Sequence, residues 1–455
     1  MERSDDNSTM ESKRRKTNRV ALTSFVTAAL ILVSFFAGYF VRFAVEPAAA
    51  RKITEMYGIL RSGSVYYEDD ADVTAKRFVY AVLYNDRYAR YYSPREYAKV
   101  AAEDAGNHSG VGIAFYATGD SDVIAEVYLN SSAYKAGVRK DDRLVAGVFR
   151  GESAYRAFSD VLAEEIAGGA ETSCLRVFSE FFTAFGADEE IRIKVERGGA
   201  ELEFSFFKSD YTAVYVEYRD DGKYYSFSTE EDGFRAREKD EPYGNLSADT
   251  AYIKLNGFFG GAATQFSDAL YYMRERGKTK LIIDLRDNGG GLLNVMSDIA
   301  AYLIDAGDGR ELKVARINGK NAATDYYVSG KKYVGGITDI SVIANVGTAS
   351  ASECLIGALN DYGDPVIYGG ARFALDRLIL TQADEDGVYR TYGKGIMQTT
   401  YLLRSGGAFV LTTAKIYWPK SDVCVQDAGI RTTDAANCVE DDAAIARANA
   451  VLHNA

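Results

Sequence analysis

The amino-acid sequence predicts a multidomain protein of mixed α/β and α+β class with a membrane helix near its N-terminus. Its 455 residues suffice for two or three domains, and 47% hydrophobic with 26% charged residues is ordinary for a folded chain. Three observations lead to this prediction. A long uncharged segment lies near the N-terminus, short apolar runs punctuated by glycine fill residues 106–210, and predicted strands alternate with predicted helices over residues 211–455.

The N-terminal segment has the composition of a signal anchor. Residues 1–19 form a basic tail with six basic and four acidic side chains, and none of the next 22 residues is charged. As a helix, such a segment would be about 33 Å long, enough to cross a bilayer. We therefore predict a transmembrane anchor at residues 20–42, with the tail in the cytoplasm and the rest of the chain outside it. The alternatives are a buried soluble helix and a signal peptide cleaved near Ala48-Ala49-Ala50.

Composition also restricts the partners and cofactors. The net charge of −12 argues against a general nucleic-acid surface. The two histidines, His108 and His453, are far apart and no cysteine–histidine cluster has metal-ligand spacing, so we predict no metal and no other cofactor. Outside the membrane a disulfide is permitted, and Cys424 with Cys438 is the favoured pair among the four cysteines.

The middle of the chain changes from helical to β-rich. Residues 43–105 are predicted to form a helical region. Two strands are predicted within residues 111–128, followed by a short helix at 131–138 that closes with a glycine. A helical insertion is expected at about 153–185. The run Arg197-Gly198-Gly199-Ala200 then predicts a β-hairpin.

The last part of the chain, residues 211–455, predicts an α/β core with a largely parallel sheet. One apolar strand, at 280–285, leads into a glycine turn, and another, at 340–346, leads to Ser350. Predicted helices alternate with the strands, at 262–275, 292–304 and 351–359.

Ser350 is the candidate nucleophile. It lies between an apolar strand and a helix that starts at Ala351, where free amide groups and the positive end of the helix dipole meet. Because the two histidines are distant, such a serine needs a base other than imidazole. The amide of Ala351 could then stabilise an oxyanion. In the alternative interpretation, Ser350 only caps the helix and Glu353 completes a capping box.

Two further segments could complete such a site. Three glycines end the run from Asp284 to Gly291 and would let the backbone approach a ligand closely, so Gly290 or Gly291 could be a second oxyanion donor. The alternatives are a tight turn and a phosphate-binding loop. Lys394 lies between two glycines and is the candidate base, which requires burial or a nearby positive charge to lower its pKa. The alternative is an exposed turn lysine.

Taken together, these motifs resemble those of the carboxy-terminal processing, or tail-specific, serine peptidases. The resemblance rests on three ordered motifs, Asp284 to Gly291, Ser350-Ala351-Ser352-Glu353 and Gly393-Lys394-Gly395-Ile396-Met397-Gln398. It implies a ClpP/crotonase-like core. The implied catalytic residues are the nucleophile Ser350, the general base Lys394 and Gln398, which orients the lysine. The implied oxyanion donors are Ala351 and a glycine of residues 289–291.

The β-rich region resembles a PDZ domain. The run Gly110-Val111-Gly112-Ile113 resembles the loop whose backbone amides bind a chain-terminal carboxylate. The runs Ala136-Gly137-Val138 and Asp141 to Val145 follow it at PDZ spacing. The resemblance implies that this domain captures the C-terminal tails of proteins, with the tail added as a strand beside the loop. Residues 150–188 exceed what a typical PDZ domain needs.

The sequence therefore predicts a membrane-anchored, extracytoplasmic serine endopeptidase that recognises protein C-terminal tails through a PDZ domain. The alternatives are a catalytically inactive PDZ-containing binding or adaptor protein and a different hydrolase such as an esterase. Ser350 and Lys394 are 44 positions apart, more than this family usually shows, so we expect residues 371–390 to form a polar surface hairpin. Asp361 has either a role near the site or a structural contact at the end of its helix.

Overall fold

The computed structural model describes residues 48–63, 70–83, 86–115, 121–169, 172–220, 222–227, 234–237, 246–307, 311–320 and 322–453. The chain forms two compact units, Met1–Phe78 and Val79–Ala455. The predicted basic tail and membrane anchor, residues 1–42, lie outside the described residues. No helix in the described ranges is both long and apolar enough to cross a bilayer.

The predicted helical region at residues 43–105 contains a strand as well as helices. Its elements are helices α1 (Ala48–Gly63) and α2 (Ala71–Leu83), strand β1 (Arg90–Tyr92) and helix α3 (Pro94–Asp104). At the start of α3, Ser93 and Glu96 form a capping box. The three residues of β1 pair antiparallel with residues 408–410. Their conformation is therefore set by a partner far away in the sequence, which local propensity does not predict.

A β-rich region follows, as predicted. Its strands are β2 (Asn107–Gly110), β3 (Ile113–Phe115), β4 (Ile124–Val127), β5 (Arg143–Val148), β6 (Tyr155–Ala157), β7 (Ile191–Arg197), β8 (Ala200–Phe206) and β9 (Ser209–Thr212). Four of them form an antiparallel sheet in the order β6-β5-β7-β8, while β2 pairs with β9 and β3 with β4. Its helices are α4 (Ser132–Ala136), α5 (Phe158–Ala167) and α6 (Cys174–Ala184).

The predicted helical insertion supplies the core of this β-rich region. Phe158 of α5 and Phe178 and Phe181 of α6 are buried, and the ring of Phe158 meets the other two edge to face at 5.0–5.1 Å between centroids. Gly147 of β5 lies so close to Phe181 that a Cβ would stand 2.6 Å from its ring. The extra length of residues 150–188 therefore builds a packed layer over the sheet.

The rest of the chain builds two sheets. Its strands are β10 (Val216–Asp220), β11 (Lys223–Phe227), β12 (Phe234–Arg237), β13 (Thr250–Leu255), β14 (Lys280–Asp284), β15 (Glu311–Gly319), β16 (Ala323–Ser329), β17 (Asp339–Ala344), β18 (Leu378–Leu380), β19 (Ile396–Leu402) and β20 (Ala408–Tyr417). The larger sheet has the order β12-β11-β10-β13-β14-β17-β18, and its last four strands are parallel. The smaller sheet has the order β1-β20-β15-β16, with β19 also paired to β20. The predicted mixed α/β class is confirmed.

Helices cover both faces of the larger sheet. They are α7 (Ala262–Glu275), α8 (Leu293–Leu303), α9 (Ala351–Tyr362), α10 (Pro365–Tyr368) and α11 (Ala444–His453), with single 3₁₀ turns at Gly330–Lys332, Leu375–Arg377, Ala435–Asn437 and Asp441–Ala443. Neighbours on β14 show the two layers, because Ile283 packs in the core with α7, α8 and α9, and Ile282 packs against α11. Burial on both faces explains the continuous apolar run that predicted this strand.

Residues 371–390 are only partly a surface hairpin. Leu378–Leu380 form β18, a buried strand parallel to β17. The turn that follows is short, with Ala383 bridged to Tyr389. The amide of Tyr392 then donates to the carbonyl oxygen of Thr348 (2.9 Å). The long segment between Ser350 and Lys394 thus includes a strand of the larger sheet. After that strand, the chain returns to the corner between β17 and the helix that starts at Ala351.

All four cysteines are free thiols, so the favoured Cys424–Cys438 disulfide is not formed. Cys438 is bridged to Leu380 at the end of β18, whereas the thiol of Cys424 donates to the carbonyl oxygen of Gly395 (3.6 Å). The two cysteines lie beside different elements of the fold, which their closeness in the sequence does not reveal.

Candidate active site

Ser350 lies at the corner between β17 and α9. The corner is tied to the end of β14, because Thr348 Oγ1 accepts the amide of Asn345 (3.0 Å) and donates to the carbonyl oxygen of Leu285 (2.8 Å). Ser350 has φ 60° and ψ −114°. A positive φ in a residue with a side chain costs about 1–3 kcal/mol and persists where the surrounding structure enforces it. Strain of this kind at a strand-to-helix corner is typical of an exposed nucleophile.

A buried asparagine joins the glycine turn after β14 to this corner. Asn288 is fully buried, and its Nδ2 donates to the carbonyl oxygen of Leu255 (2.7 Å). The backbone carbonyl oxygen of Asn288 accepts hydrogen bonds from the amide of Ala349 (3.0 Å) and the hydroxyl of Ser352 (2.9 Å). The residues on either side of Ser350 are therefore held by the turn that precedes Gly290.

The predicted oxyanion donors lie together at the corner. A Cβ on Gly290 would stand 2.8 Å from Ser350 Cβ and 2.9 Å from the amide nitrogen of Ala351, so only glycine fits there. The amide of Gly290 donates to Asn288 Oδ1 (3.0 Å). The amides of Ala351 and Gly291, in contrast, have no hydrogen-bond partner among the described residues. Of the candidate donors, Ala351 and Gly291 are thus the two whose amides are not already used by another acceptor in the described part of the chain.

A buried carboxylate connects the predicted nucleophile to residues 391–395, the segment around Lys394 that we call the lysine loop. Glu353 is fully buried in the first turn of α9, and its Oε2 accepts the amides of Ser350 and Lys394, each at 2.9 Å. Its Oε1 accepts the amide of Gly393 (2.9 Å) and the hydroxyl of Thr391. Burial raises the pKa of Glu353, and these four hydrogen bonds oppose the rise. One carboxylate oxygen therefore holds the backbones of both predicted catalytic residues.

Lys394 lies in the surroundings that a lysine base needs. Burial lowers the pKa of its ammonium below the usual value, the positive charge of Arg90 lowers it further, and Glu353 opposes both. Its Nζ lies 5.4 Å from the centroid of the Tyr88 ring. Among the described residues Lys394 Nζ forms no hydrogen bond or ion pair, and none joins it to Ser350 Oγ. The two side chains therefore sit on neighbouring backbone segments without direct contact by hydrogen bond.

Gln398 lies at a bulge in β19, where the pairing with β20 shifts register after Met397. Its side-chain amide donates to the carbonyl oxygen of Tyr88 (3.0 Å). Tyr88 is the residue whose ring faces Lys394. The hydrogen bond of Gln398 therefore reaches the surroundings of the lysine through a third residue, and its predicted role in orienting the lysine stays a prediction.

Three contributions to the site were missed by sequence reasoning. The sequence predicted Glu353 only as part of a capping box. Half of that box is present, since the carboxylate of Glu353 accepts the amide of Ser350. Its other bonds reach residues about 40 positions away. Asn288 was visible only as part of a turn. The contact between Tyr88 and Gln398 spans 310 positions, and no local pattern signals it.

Other predicted positions have structural contacts. Asp361 Oδ2 accepts hydrogen bonds from the amides of Lys420 (2.8 Å) and Ser421 (3.0 Å). These bonds agree with the alternative in which Asp361 makes a structural contact at the end of its helix. Within the described ranges, no group of three or more His, Cys, Asp or Glu side chains could hold a metal ion.

The predicted tail-binding run Gly110-Val111-Gly112-Ile113 connects β2 to β3. Its turn is fixed by hydrogen bonds, since the carbonyl oxygen of Val111 accepts the amide of Ala133 (3.2 Å) at the start of α4. Gly112 has φ 76°, and a Cβ on it would stand 2.1 Å from Ser131 Cβ. Glycine is therefore required at this position of the loop.

The sequence of this core has a recognised family. Residues 249–378, which include the glycine turn and Ser350, match the sequence model of Peptidase family S41. The family model thus identifies this segment of the chain as one of Peptidase family S41. It agrees with the family predicted from the three motifs, and the corner that carries Ser350 lies inside the matched segment.

Curated proteins similar to this chain are named as serine proteases. A protein named probable CtpA-like serine protease from Staphylococcus aureus strain MSSA476 is 24% identical over 376 residues. One of the same name from Staphylococcus saprophyticus subsp. saprophyticus is 23% identical over 374 residues. Both matches cover 82% of this chain and 62% of the relative. The chain therefore spans less than two thirds of the length of the curated relatives it matches.

Two solved structures align with most of this chain. The photosystem II D1 C-terminal processing protease is 20% identical, with a TM-score of 0.46 over 85% of this chain and 86% of that chain. A putative S41 protease from Bacteroides fragilis NCTC 9343 is 16% identical, with a TM-score of 0.46 over 86% of this chain and 91% of that chain.

Proposed function

We propose that this chain is a membrane-anchored serine endopeptidase that acts outside the cytoplasm with a Ser350–Lys394 dyad. In this proposal the PDZ-like region binds the C-terminal tails of substrate proteins. The match of residues 249–378 to the model of Peptidase family S41 supports the peptidase class, and so does the name of the curated relatives. The uncharged segment within residues 20–42 and its basic flank support the anchor and its orientation.

One observation carries the dyad. Glu353 Oε2 accepts the amide of Ser350 and the amide of Lys394 at 2.9 Å each, which keeps two residues 44 positions apart on one oxygen atom. A buried carboxylate with four donors is a rigid support, because moving either loop would leave a charged group short of its partners. Such support is what a preorganised catalytic pair requires.

The proposed reaction is acyl transfer. The neutral amine of Lys394 takes the proton of Ser350 Oγ as that oxygen attacks the scissile carbonyl carbon, and the resulting ammonium later gives the proton to the leaving amine. In this proposal the amides of Ala351 and Gly291 stabilise the oxyanion. Water then hydrolyses the acyl-enzyme with the same amine as base. Since the neutral lysine is the reactive form, a lowered pKa at Lys394 increases the reactive fraction at neutral pH.

A fluorophosphonate probe tests whether Ser350 is an activated nucleophile. The full-length chain in detergent micelles is expected to be labelled, with the adduct on the peptide that contains Ser350, and Ser350→Ala should abolish labelling. Ser179→Ala is the matched control, because Ser179 is an exposed serine on α6, and it should be labelled at the original rate. No labelling of the original chain would favour the adaptor alternative, and an adduct on another serine would refute Ser350 as nucleophile.

The PDZ-like region has features suited to tail binding. The glycines at Gly110 and Gly112 have φ values of 146° and 76°. Strand β3, which follows the loop, pairs with β4, and Phe115 on β3 lies 4.7 Å from Phe178 of α6, between ring centroids. A tail added beside β3 would thus contact these phenylalanine rings, which favours an apolar last residue in the bound tail.

A pair of peptides tests this binding mode. A fluorescent hexapeptide that ends in valine should bind the Ser350→Ala chain, and the same peptide with an amidated C-terminus should bind at least about tenfold more weakly, because the loop amides lose their carboxylate partner. Gly112→Val should weaken binding of the free-acid peptide to the level of the amidated one. The measurement is fluorescence anisotropy. Equal affinity of the two peptides would contradict carboxylate capture.

A further inference from the structure

The lysine loop is closed on one side by a segment that comes from the opposite end of the domain, residues 86–92. Asp86 fastens this segment to β20, since its carboxylate accepts the amide (2.8 Å) and the hydroxyl (2.9 Å) of Thr412. Gln398 fastens it to β19 by donating to the carbonyl oxygen of Tyr88 (3.0 Å). Strand β1 continues the attachment by pairing with β20. The segment is therefore held over the hairpin that begins two residues after Lys394.

The ring of Tyr88 is fixed in front of the lysine. Its hydroxyl accepts a hydrogen bond from Arg87 Nη2 (2.7 Å), which also pairs with Asp427 (2.9 Å). Its face lies 5.4 Å from Lys394 Nζ. An aromatic face attracts an ammonium but accepts no proton from it, so it can orient the lysine and leave the nitrogen free to take a proton from serine. A carboxylate in the same place would hold the lysine charged.

Arg90 is the charged residue of the same segment two positions after Tyr88. It lies on β1, opposite Val410, its side chain is exposed, and it forms no ion pair with a residue in the described part of the chain. A guanidinium stays charged at every pH at which a protein is folded, so it disfavours the ammonium form of a nearby lysine throughout. Among the described residues, the other charged or titratable groups that face Lys394 are Glu353 of α9, which has the opposite effect, and Tyr88.

We propose that Tyr88 and Arg90 are positioning residues for the base Lys394, and that Gln398 acts on Lys394 through Tyr88. This inference rests on the proposed Ser350–Lys394 dyad and adds the segment that tunes it. The ring of Tyr88 limits where the amine can lie, Gln398 fixes the backbone of Tyr88, and Arg90 keeps a larger share of the lysine neutral near pH 7. Burial of Lys394 and the charge of Arg90 both lower its pKa, in agreement with this arrangement.

The charge effect is tested by the pH dependence of kcat/KM on fluorescent casein, measured with the full-length chain. Arg90→Gln should lose about two- to fivefold at neutral pH, the range that exposed charge pairs give, and should recover at alkaline pH where Lys394 is neutral anyway. Arg90→Lys should restore most of the neutral-pH rate, and raised salt should shrink the difference. Arg95→Gln, which removes an exposed charge from α3, is the control with an unchanged profile. A pH-independent loss in Arg90→Gln, or none, overturns the role of Arg90.

The route from Gln398 to Lys394 is tested by a double-mutant cycle. Tyr88→Ala should lower the rate roughly 10- to 100-fold, the cost of a slightly misplaced catalytic group. Tyr88→Phe should retain most activity because the ring remains. Once Tyr88 is alanine, Gln398→Ala should cause no further loss, because its effect passes through the ring. Losses that multiply would overturn the indirect role of Gln398. Circular dichroism checks that the variants fold.

Lys394→Ala separates this inference from the dyad on which it rests. If Lys394→Ala remains active, the dyad is wrong and the inference falls with it. If Lys394→Ala is inactive while Tyr88→Ala and Arg90→Gln keep the original rate and pH profile, the dyad stands and only the inference is overturned.

Discussion

Replacing Ser350 with alanine is expected to reduce cleavage of an unfolded protein by roughly 10⁴-fold or more, because no other group can form the acyl-enzyme. Replacing Lys394 with alanine removes the base and is expected to cost about 10²- to 10⁴-fold. Lys394→Arg should be as inactive as Lys394→Ala, since a guanidinium keeps the positive charge but cannot take the proton. Release of fluorescent fragments from casein by the full-length chain in detergent measures all three.

The two residues should also fail as a unit. The double variant Ser350→Ala/Lys394→Ala is expected to be no slower than Ser350→Ala, because a base without its nucleophile contributes nothing. Lys99→Ala, which removes an exposed lysine on α3, is the control and should cleave at the original rate. Substantial proteolysis by Lys394→Ala or Lys394→Arg would exclude the serine–lysine mechanism, and proteolysis by Ser350→Ala would exclude the nucleophile.

Replacing Glu353 with alanine is expected to have the second largest effect, on stability and on activity together. It would leave four donors without their acceptor, the amides of Ser350, Gly393 and Lys394 and the hydroxyl of Thr391. Each orphaned buried donor costs about 1–3 kcal/mol, so we expect a loss on the order of 4 kcal/mol once water fills part of the space. Because the same bonds hold the dyad, activity should fall at least about 100-fold in protein that is still folded.

Urea unfolding and the rate of fluorophosphonate labelling measure these two effects separately. Glu353→Gln should be intermediate, since its amide keeps one oxygen for two of the donors and turns an NH₂ group towards the other two. Glu96→Ala is the matched control, because Glu96 completes a capping box with Ser93 at the exposed start of α3, away from Ser350 and Lys394 in the sequence. Its loss should stay near 1 kcal/mol without effect on labelling. A Glu353→Ala chain as stable and reactive as the original would contradict the bridging role.

The sequence predicted the elements of the site better than their connections. The strand before Ser350, the glycine turn after Asp284 and the helix from Ala351 are all formed, because apolar periodicity, glycine and helix-start signals are local. The interpretation of Glu353 as a cap was also partly correct. Its bridge to the lysine loop depends on a contact about 40 positions along the chain, which no local pattern encodes.

Two expectations failed for the same reason. Residues 378–380 were expected in a polar surface hairpin, yet they form a buried strand, since their apolar side chains have a place beside β17. Cys424 and Cys438 were expected to pair because they are near in sequence, but each packs against a different element. Nearness along a chain predicts contact only where no strand or packed core intervenes.

The sequence by itself determined which reactive groups are present: a serine at a strand-to-helix corner, a glycine turn and a lysine between glycines. The first two of these lie in the segment that matches Peptidase family S41. These signals are local, and short-range sterics and hydrogen bonding are enough to produce them. The tertiary structure alone decided which groups meet. It brought Glu353 between Ser350 and Lys394, and it laid Tyr88 beside the lysine from about 300 positions upstream. The reason is physical, because strand pairing between β1 and β20, the hydrogen bonds of Asp86 and Gln398, and the burial of one carboxylate join segments that are distant in the sequence.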